Sequence, residues 1–347
     1  MLNYRNIIAI ICLFLIAVVG IVINIKLLNF WEYNTRGEDI YYSFLEGKRI
    51  LAGENPYTRV LAGNMRDNDK YATYFPLFYL LSALTQLLGF QEYSAWISLW
   101  RPIFLMFYIG IAGLIFYKLY KNRLLTIGLF AALFWLFNRW TLHVSKIAHL
   151  EFISIFFLLL SLIIFPKNKY ISLILFSLSL AFKQIAVFLL PLYLIWIWQS
   201  SEGNQLKDTL IALLLILSIP VITSLPFISW NAEGFFKSIL FSATRNPSVH
   251  FEVMSLDALI GLEIPEFIGI KAKLPMLFMM SLVFLSAIKR QIGIYTSVLM
   301  IMSVFVDFNS VLFNQYLCWI VPFIPLVICD MNHNNMQNYR LNKIRAD

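Results

Sequence analysis

The sequence predicts an all-α protein, a polytopic transmembrane helical bundle of about ten spans with one interfacial helix in its first outer loop. Three observations carry this. The 347 residues are 60% hydrophobic and only 13% charged, whereas a soluble domain carries roughly 25% charged residues. Apolar stretches of ~20 residues, the length of helix that crosses ~30 Å of hydrocarbon, recur from residue 7 to residue 330. Lysine and arginine gather in short connections between them, as topology rather than nucleic-acid binding requires. The net charge of +8 is therefore read as a membrane signature, and the chain as one integral membrane domain over 1–347.

The first stretch, Ile7 to Ile25, is longer than a secretory leader core and has no small-residue cleavage site before Lys26, which makes it a retained span. With Met1 to Asn6 inside, residues 29–74 form the first outer loop, the longest polar loop of the chain. Residues 75–90 are apolar but interrupted by Pro76 and only thinly bounded by Gln91 and Glu92. If they lie flat in the interface, Lys118, Lys121, Arg123, Lys167, Lys169, Lys207, Lys289 and Arg290 all fall inside; if they span, the later loops invert. The interfacial reading follows. The remaining spans are then 95–117, 124–140, 149–165, 170–183, 184–199, 209–229, 274–288, 292–308 and 311–330, with a second outer loop over 230–273 and a cytoplasmic tail over 331–347. Arg139 and Lys146 break the charge rule, because this topology leaves them outside. The span before Lys183 is short, which predicts a helix ending below the outer surface and presenting the ammonium to a cavity.

Cys12, Cys318 and Cys329 lie in apolar stretches with no CxxC spacing, so neither disulfide nor zinc is expected. No Walker loop, GxSxG or HExxH occurs. Most acids fall on the outer side, where the first loop reads Gly37-Glu38-Asp39-Ile40-Tyr41-Tyr42, then Gly53-Glu54-Asn55-Pro56-Tyr57, then Tyr74-Phe75-Pro76-Leu77. Farther on come Phe182-Lys183-Gln184 with Pro191, and Asn314-Gln315-Tyr316-Leu317-Cys318-Trp319-Ile320-Val321-Pro322. In order and spacing these pieces resemble glycosyltransferase family 87 of the C-type (GT-C) superfamily, over nearly the whole length. One departure is Lys146-Ile147-Ala148-His149-Leu150-Glu151, where that family often shows Gly-Gln followed by Asn or Asp.

The resemblance implies a polytopic plasma-membrane enzyme that takes a sugar, most often mannose, from a polyprenyl-phosphate donor. It would pass the sugar to a glycan or glycolipid acceptor on the extracytoplasmic face, with inversion and without a cofactor; a divalent metal is left open. It places the catalytic base at Asp39, with Glu38 the alternate. A carboxylate near an apolar surface is expected to have a raised pKa. Without the resemblance, Asp39 reads as a solvated loop acid.

Lys183 and Arg245 are the candidate cations for the donor phosphate, their plainer readings being a snorkelling lysine and a loop arginine. Tyr42, His149, Asn314 and Gln315 are candidate sugar or acceptor contacts, although interfacial histidines and helix-packing amides have the same look. Two other readings share the hydrophobicity: a transporter or flippase of lipid-linked glycans, which should show related halves or paired broken helices, and a surface-polysaccharide polymerase or ligase.

Overall fold

The computed structural model describes residues 4–63, 70–244, 255–264, 266, 271–309 and 312–331. Every regular element among them is helical. Helix α1 (Tyr4–Val22) runs into a π-helical turn, Ile23–Leu27. The first loop folds into α2 (Asp39–Leu51), the 3₁₀ turn Pro56–Ala62 and α3 (Leu77–Leu87). Then come α4 (Tyr93–Lys121), α5 (Leu125–Phe137), α6 (Arg139–Lys146), α7 (Glu151–Ile164) and α8 (Lys169–Phe182). A 3₁₀ turn, Gln184–Leu189, leads into α9 (Leu190–Ser200), followed by α10 (Gln205–Trp230), α11 (Ala232–Thr244) and α12 (Leu256–Glu263). Helices α13 (Leu274–Ile288), α14 (Ile294–Phe308) and α15 (Asn314–Leu317) precede a last helical stretch over 323–331.

Four helical segments are long and apolar enough to cross a membrane: Tyr4–Leu27, Tyr93–Lys121, Gln205–Trp230 and Lys271–Ile288. The pair α5 and α6, bent by 50°, makes a fifth if it counts as one span. The expected count of ten is not reached on this measure, and the reason is local. Polar residues cut the apolar runs: Asn138 stops α5 and caps α6 by accepting from the Trp140 amide, and Lys183, in extended backbone, stops α8. The 14 residues of α7 or α8 extend ~21 Å, short of a full hydrocarbon core. In the segment expected to lie in the interface, α3 has 11 residues, about 16 Å, and cannot cross alone.

The helices nevertheless alternate in direction. The Tyr120 hydroxyl donates to the Arg5 carbonyl, Lys169 Nζ to that of Ser200, and Gln199 Nε2 to those of Ala287 and Ile288. Lys118 lies over the Tyr295 ring, and Thr296 at the start of α14 bonds the Asp330 carboxylate. The basic connections thus share one end of the bundle.

At the other end, Arg101 near the start of α4 is buried and donates to the carbonyls of Trp31 and Tyr33, tying down the chain that leaves α1. Between the two ends, α7 and α8 close through paired serines, Ser161 with Ser172 and Ser154 with Ser179, the small polar contacts that let helices approach within an apolar medium. Beside them, Gln86 Nε2 donates to the Phe44 carbonyl and Trp96 Nε1 to Thr85 Oγ1, fastening α3 between α2 and α4.

Candidate active site

The site lies at the end opposite the basic connections. Glu38 is the N-cap residue of α2 and Asp39 its first residue, where the free amides of a helix start favour a carboxylate. From Asp39, positions i+3, i+4 and i+7 share one helix face. These are Tyr42, Ser43 and Glu46, and with Asp39 they form one wall of a cavity of about 290 Å³. Lys70, Tyr74 and Tyr79 line it from the rest of the first loop, His149 from the turn before α7, and Gln315 and Tyr316 from α15. Asn314 on the same short helix is not among the lining residues.

Three donors converge on Asp39. Lys70 Nζ is 2.9 Å from Oδ1, while His149 Nε2 at 2.9 Å and the Tyr74 hydroxyl at 3.1 Å share Oδ2. The carboxylate remains 30% exposed, at the cavity. Burial alone would push its pKa up, but the hydrogen bonds and charges of His149 and Lys70 outweigh burial and hold it well below the usual carboxylate range. This reverses the raised pKa expected from the apolar setting. Glu38 also lines the cavity, but its contact is a long one, 3.5 Å from the Tyr33 hydroxyl.

Behind Asp39 a buried chain of charges continues. His149 Nδ1 faces Glu151 Oε2, and Lys183 Nζ meets Glu151 Oε1. A ring with carboxylates on both sides donates to both only as the imidazolium. The turn that aims it depends on Ala148, at φ +53°, a left-handed conformation costly for a residue with a Cβ. Lys183 is buried and stands over the rings of Tyr74 and Tyr316, at 4.9 and 5.8 Å. It lies one layer behind the cavity rather than in its wall, which is not the exposure to a cavity that its short span predicts. Arg245 lies outside the described residues.

The arrangement thus joins Asp39, His149, Lys183, Tyr42, Glu38 and Gln315 around or behind one cavity. It adds Lys70, Tyr74, Glu46 and Glu151, which sequence reasoning did not single out for the site. Glu46 carried a signal, its place on the Asp39 face of an amphipathic helix; Lys70 carried none. Among the described residues, no three His, Cys, Asp or Glu side chains are arranged as metal ligands. Chemically the site offers an ionised carboxylate with lone pairs toward a cavity, one solvent-accessible ammonium beside it, and phenols for stacking or hydrogen bonding. No protein-family model, curated protein or solved structure matches this chain.

Proposed function

We propose that this protein is an inverting membrane glycosyltransferase that moves a sugar, mannose first among the candidates, from a polyprenyl-phosphate donor to a glycan or glycolipid acceptor. The observation that supports it most is Asp39, an ionised carboxylate held by three donors at a cavity on the end of the bundle away from the basic connections. The acceptor oxygen attacks the anomeric carbon, the bond from that carbon to the phosphate oxygen breaks, and polyprenyl phosphate leaves as an anion. The hydroxyl proton passes to Asp39. That proton becomes acidic only as the new bond forms, so a carboxylate ionised at all working pH values suffices. Lys70, already 2.9 Å from Asp39 Oδ1, is placed to meet the phosphate charge, and Arg245 is a second candidate cation. Lys183 holds Glu151, and through it the orientation of His149.

In this reading the short alternating helices α7, α8, α9 and α14 complete a GT-C-like bundle of about ten spans. The basic connections face the cytoplasm, and the cavity opens on the extracytoplasmic side of the plasma membrane. The bent α5–α6 pair and the break at Lys183 are the features a transporter would share. The test is to incubate the purified protein in nanodiscs with polyprenyl-phosphate sugars and with nucleotide sugars. Transfer from the lipid-linked donors alone, reduced ~10²-fold or more in Asp39→Asn, is the expected result. Full transfer by folded Asp39→Asn overturns the assignment of the base, and no transfer from any lipid-linked donor overturns the activity.

A further inference from the structure

Two helical turns from Asp39, on the same face of α2, the cavity wall carries a second carboxylate, Glu46. Seven residues along a helix place it about 10 Å farther down the axis. Its side chain is only 2% exposed. Oε1 accepts from Arg49 Nη1 at 2.6 Å, but Oε2 is buried with no hydrogen-bond partner among the described residues. Buried acceptors are nearly always satisfied, and a buried charge with an idle oxygen is costly to keep.

The phenols nearby do not meet this need: Tyr57 donates its proton to the Tyr74 carbonyl, and the Tyr79 hydroxyl, which accepts from the amides of Thr73 and Tyr74, makes no hydrogen bond to Oε2. Nor can the helix roll to bring Glu46 to water. A Cβ on the adjacent Gly47 would stand 2.5 Å from Ser82 Oγ and 2.8 Å from the Ala83 amide, so α2 is seated hard against α3.

We propose that Glu46 is a sugar-binding residue whose Oε2 accepts a hydrogen bond from a hydroxyl of a hexose-class substrate, at the far end of the cavity from Asp39. This deepens the glycosyl-transfer reading and rests on it. An unpaired buried carboxylate oxygen selects for a hydroxyl, because an analogue lacking that group leaves the oxygen unpaired when the cavity closes over it. The hydroxyl belongs either to the lipid-linked sugar or to the acceptor sugar, and the chemistry of recognition is the same.

The experiment measures binding of three probes to the full chain in nanodiscs: polyprenyl-phosphate mannose, sugar-free polyprenyl phosphate and methyl α-mannoside. Glu46→Gln keeps the shape and an acceptor for Arg49 while removing the charge. It should weaken one of the two mannose probes about tenfold or more and leave sugar-free polyprenyl phosphate unchanged. Loss confined to the lipid-linked mannose assigns the hydroxyl to the donor, and loss confined to methyl α-mannoside assigns it to the acceptor. In the unaltered protein, one of the monodeoxy forms of whichever mannose probe Glu46→Gln weakens should bind about tenfold more weakly than the parent sugar.

Unchanged affinity for both sugars in folded Glu46→Gln, or an equal loss of the sugar-free lipid, overturns the proposal while leaving the reaction at Asp39 standing. Unaltered protein that binds neither mannose probe overturns the transfer reading, and this proposal with it.

Discussion

Replacing Lys183 by Met removes one charge from a buried network and keeps most of the side-chain volume. In the native protein Glu151 is fully buried, with Lys183 on Oε1 and His149 facing Oε2. Removing one partner of a buried pair costs roughly 3–5 kcal/mol, because the other charge stays in place without compensation. Here His149 still neutralises part of Glu151, which puts the expected loss near the lower end, about 3 kcal/mol. The assay is thermal unfolding in detergent, with Lys183→Met, Glu151→Gln and the double variant compared in a cycle. The double variant should recover much of the loss, since neither charge remains, and the coupling should exceed about 1 kcal/mol. Strict additivity would refute the network. So would Lys183→Met protein of native stability whose only defect is weak donor binding, which would return Lys183 to the donor phosphate.

Three further outcomes follow from the same geometry. Glu38→Gln should reduce transfer far less than Asp39→Asn, as measured by initial rates, because the close donors gather on Asp39 while Glu38 has one contact of 3.5 Å. Gly47→Ala should destabilise the protein by about 1–3 kcal/mol in the same unfolding assay, since the new methyl meets the Ala83 backbone at 2.8 Å. Cysteines placed at 121 and 205 should label from one face of the membrane and a cysteine at 54 from the other. Labelling of 121 and 54 from the same face would invert the middle of the topology.

Sequence reading located helices best where an apolar run ends in a cation. The span expected at 170–183 is α8, Lys169–Phe182, with Lys183 stopping it. It did worse where a single polar residue bends the chain. Residues 124–140 read as one span, yet Asn138 ends α5, and Thr141 Oγ1 bonds back to the Asn138 carbonyl, so α6 leaves at 50°. Arg139 and Lys146 looked anomalous as outer cations; Lys146 in fact lies over the Tyr33 ring, 4.7 Å away, a partner that only the fold supplies. The site divides in the same way. Asp39 and Tyr42 stand in a local motif, but the contact of Asp39 with His149 joins residues 110 apart in sequence, and no periodicity marks it. Hence Glu151 read as one more outer acid and Lys70 as one more loop lysine.

The two carboxylates of α2 make a last prediction, because their surroundings push them in opposite directions. Three donors hold Asp39 ionised far into acid, whereas burial raises Glu46 to about 7, against the lowering effect of Arg49 and Arg59 and with some help from Glu54. Tyr57 and Tyr79 face it as well, and their phenols stay neutral. Pairs of titratable groups driven apart in this way divide the work of a site, and of these two carboxylates it is Glu46 that titrates near neutrality.

The sign follows from linkage. Asp39, lowered by folding, contributes stability above its unfolded pKa and loses it only as pH falls through the folded value. Glu46, raised by folding, contributes stability that is complete below its unfolded pKa and is lost as pH rises toward about 7. The rise from 4.5 to about 7 corresponds to on the order of 3 kcal/mol. Glu46→Gln, which cannot ionise, should therefore gain on the native protein in unfolding assays as pH rises from 4.5 to about 7, and its transfer rate should lack the limb near pH 7. The acid limb, far below neutrality, should persist in Glu46→Gln, since Asp39 keeps its donors. An unchanged limb near 7 in that variant would mean that another group titrates there, and that Glu46 spends the working pH range in a single protonation state.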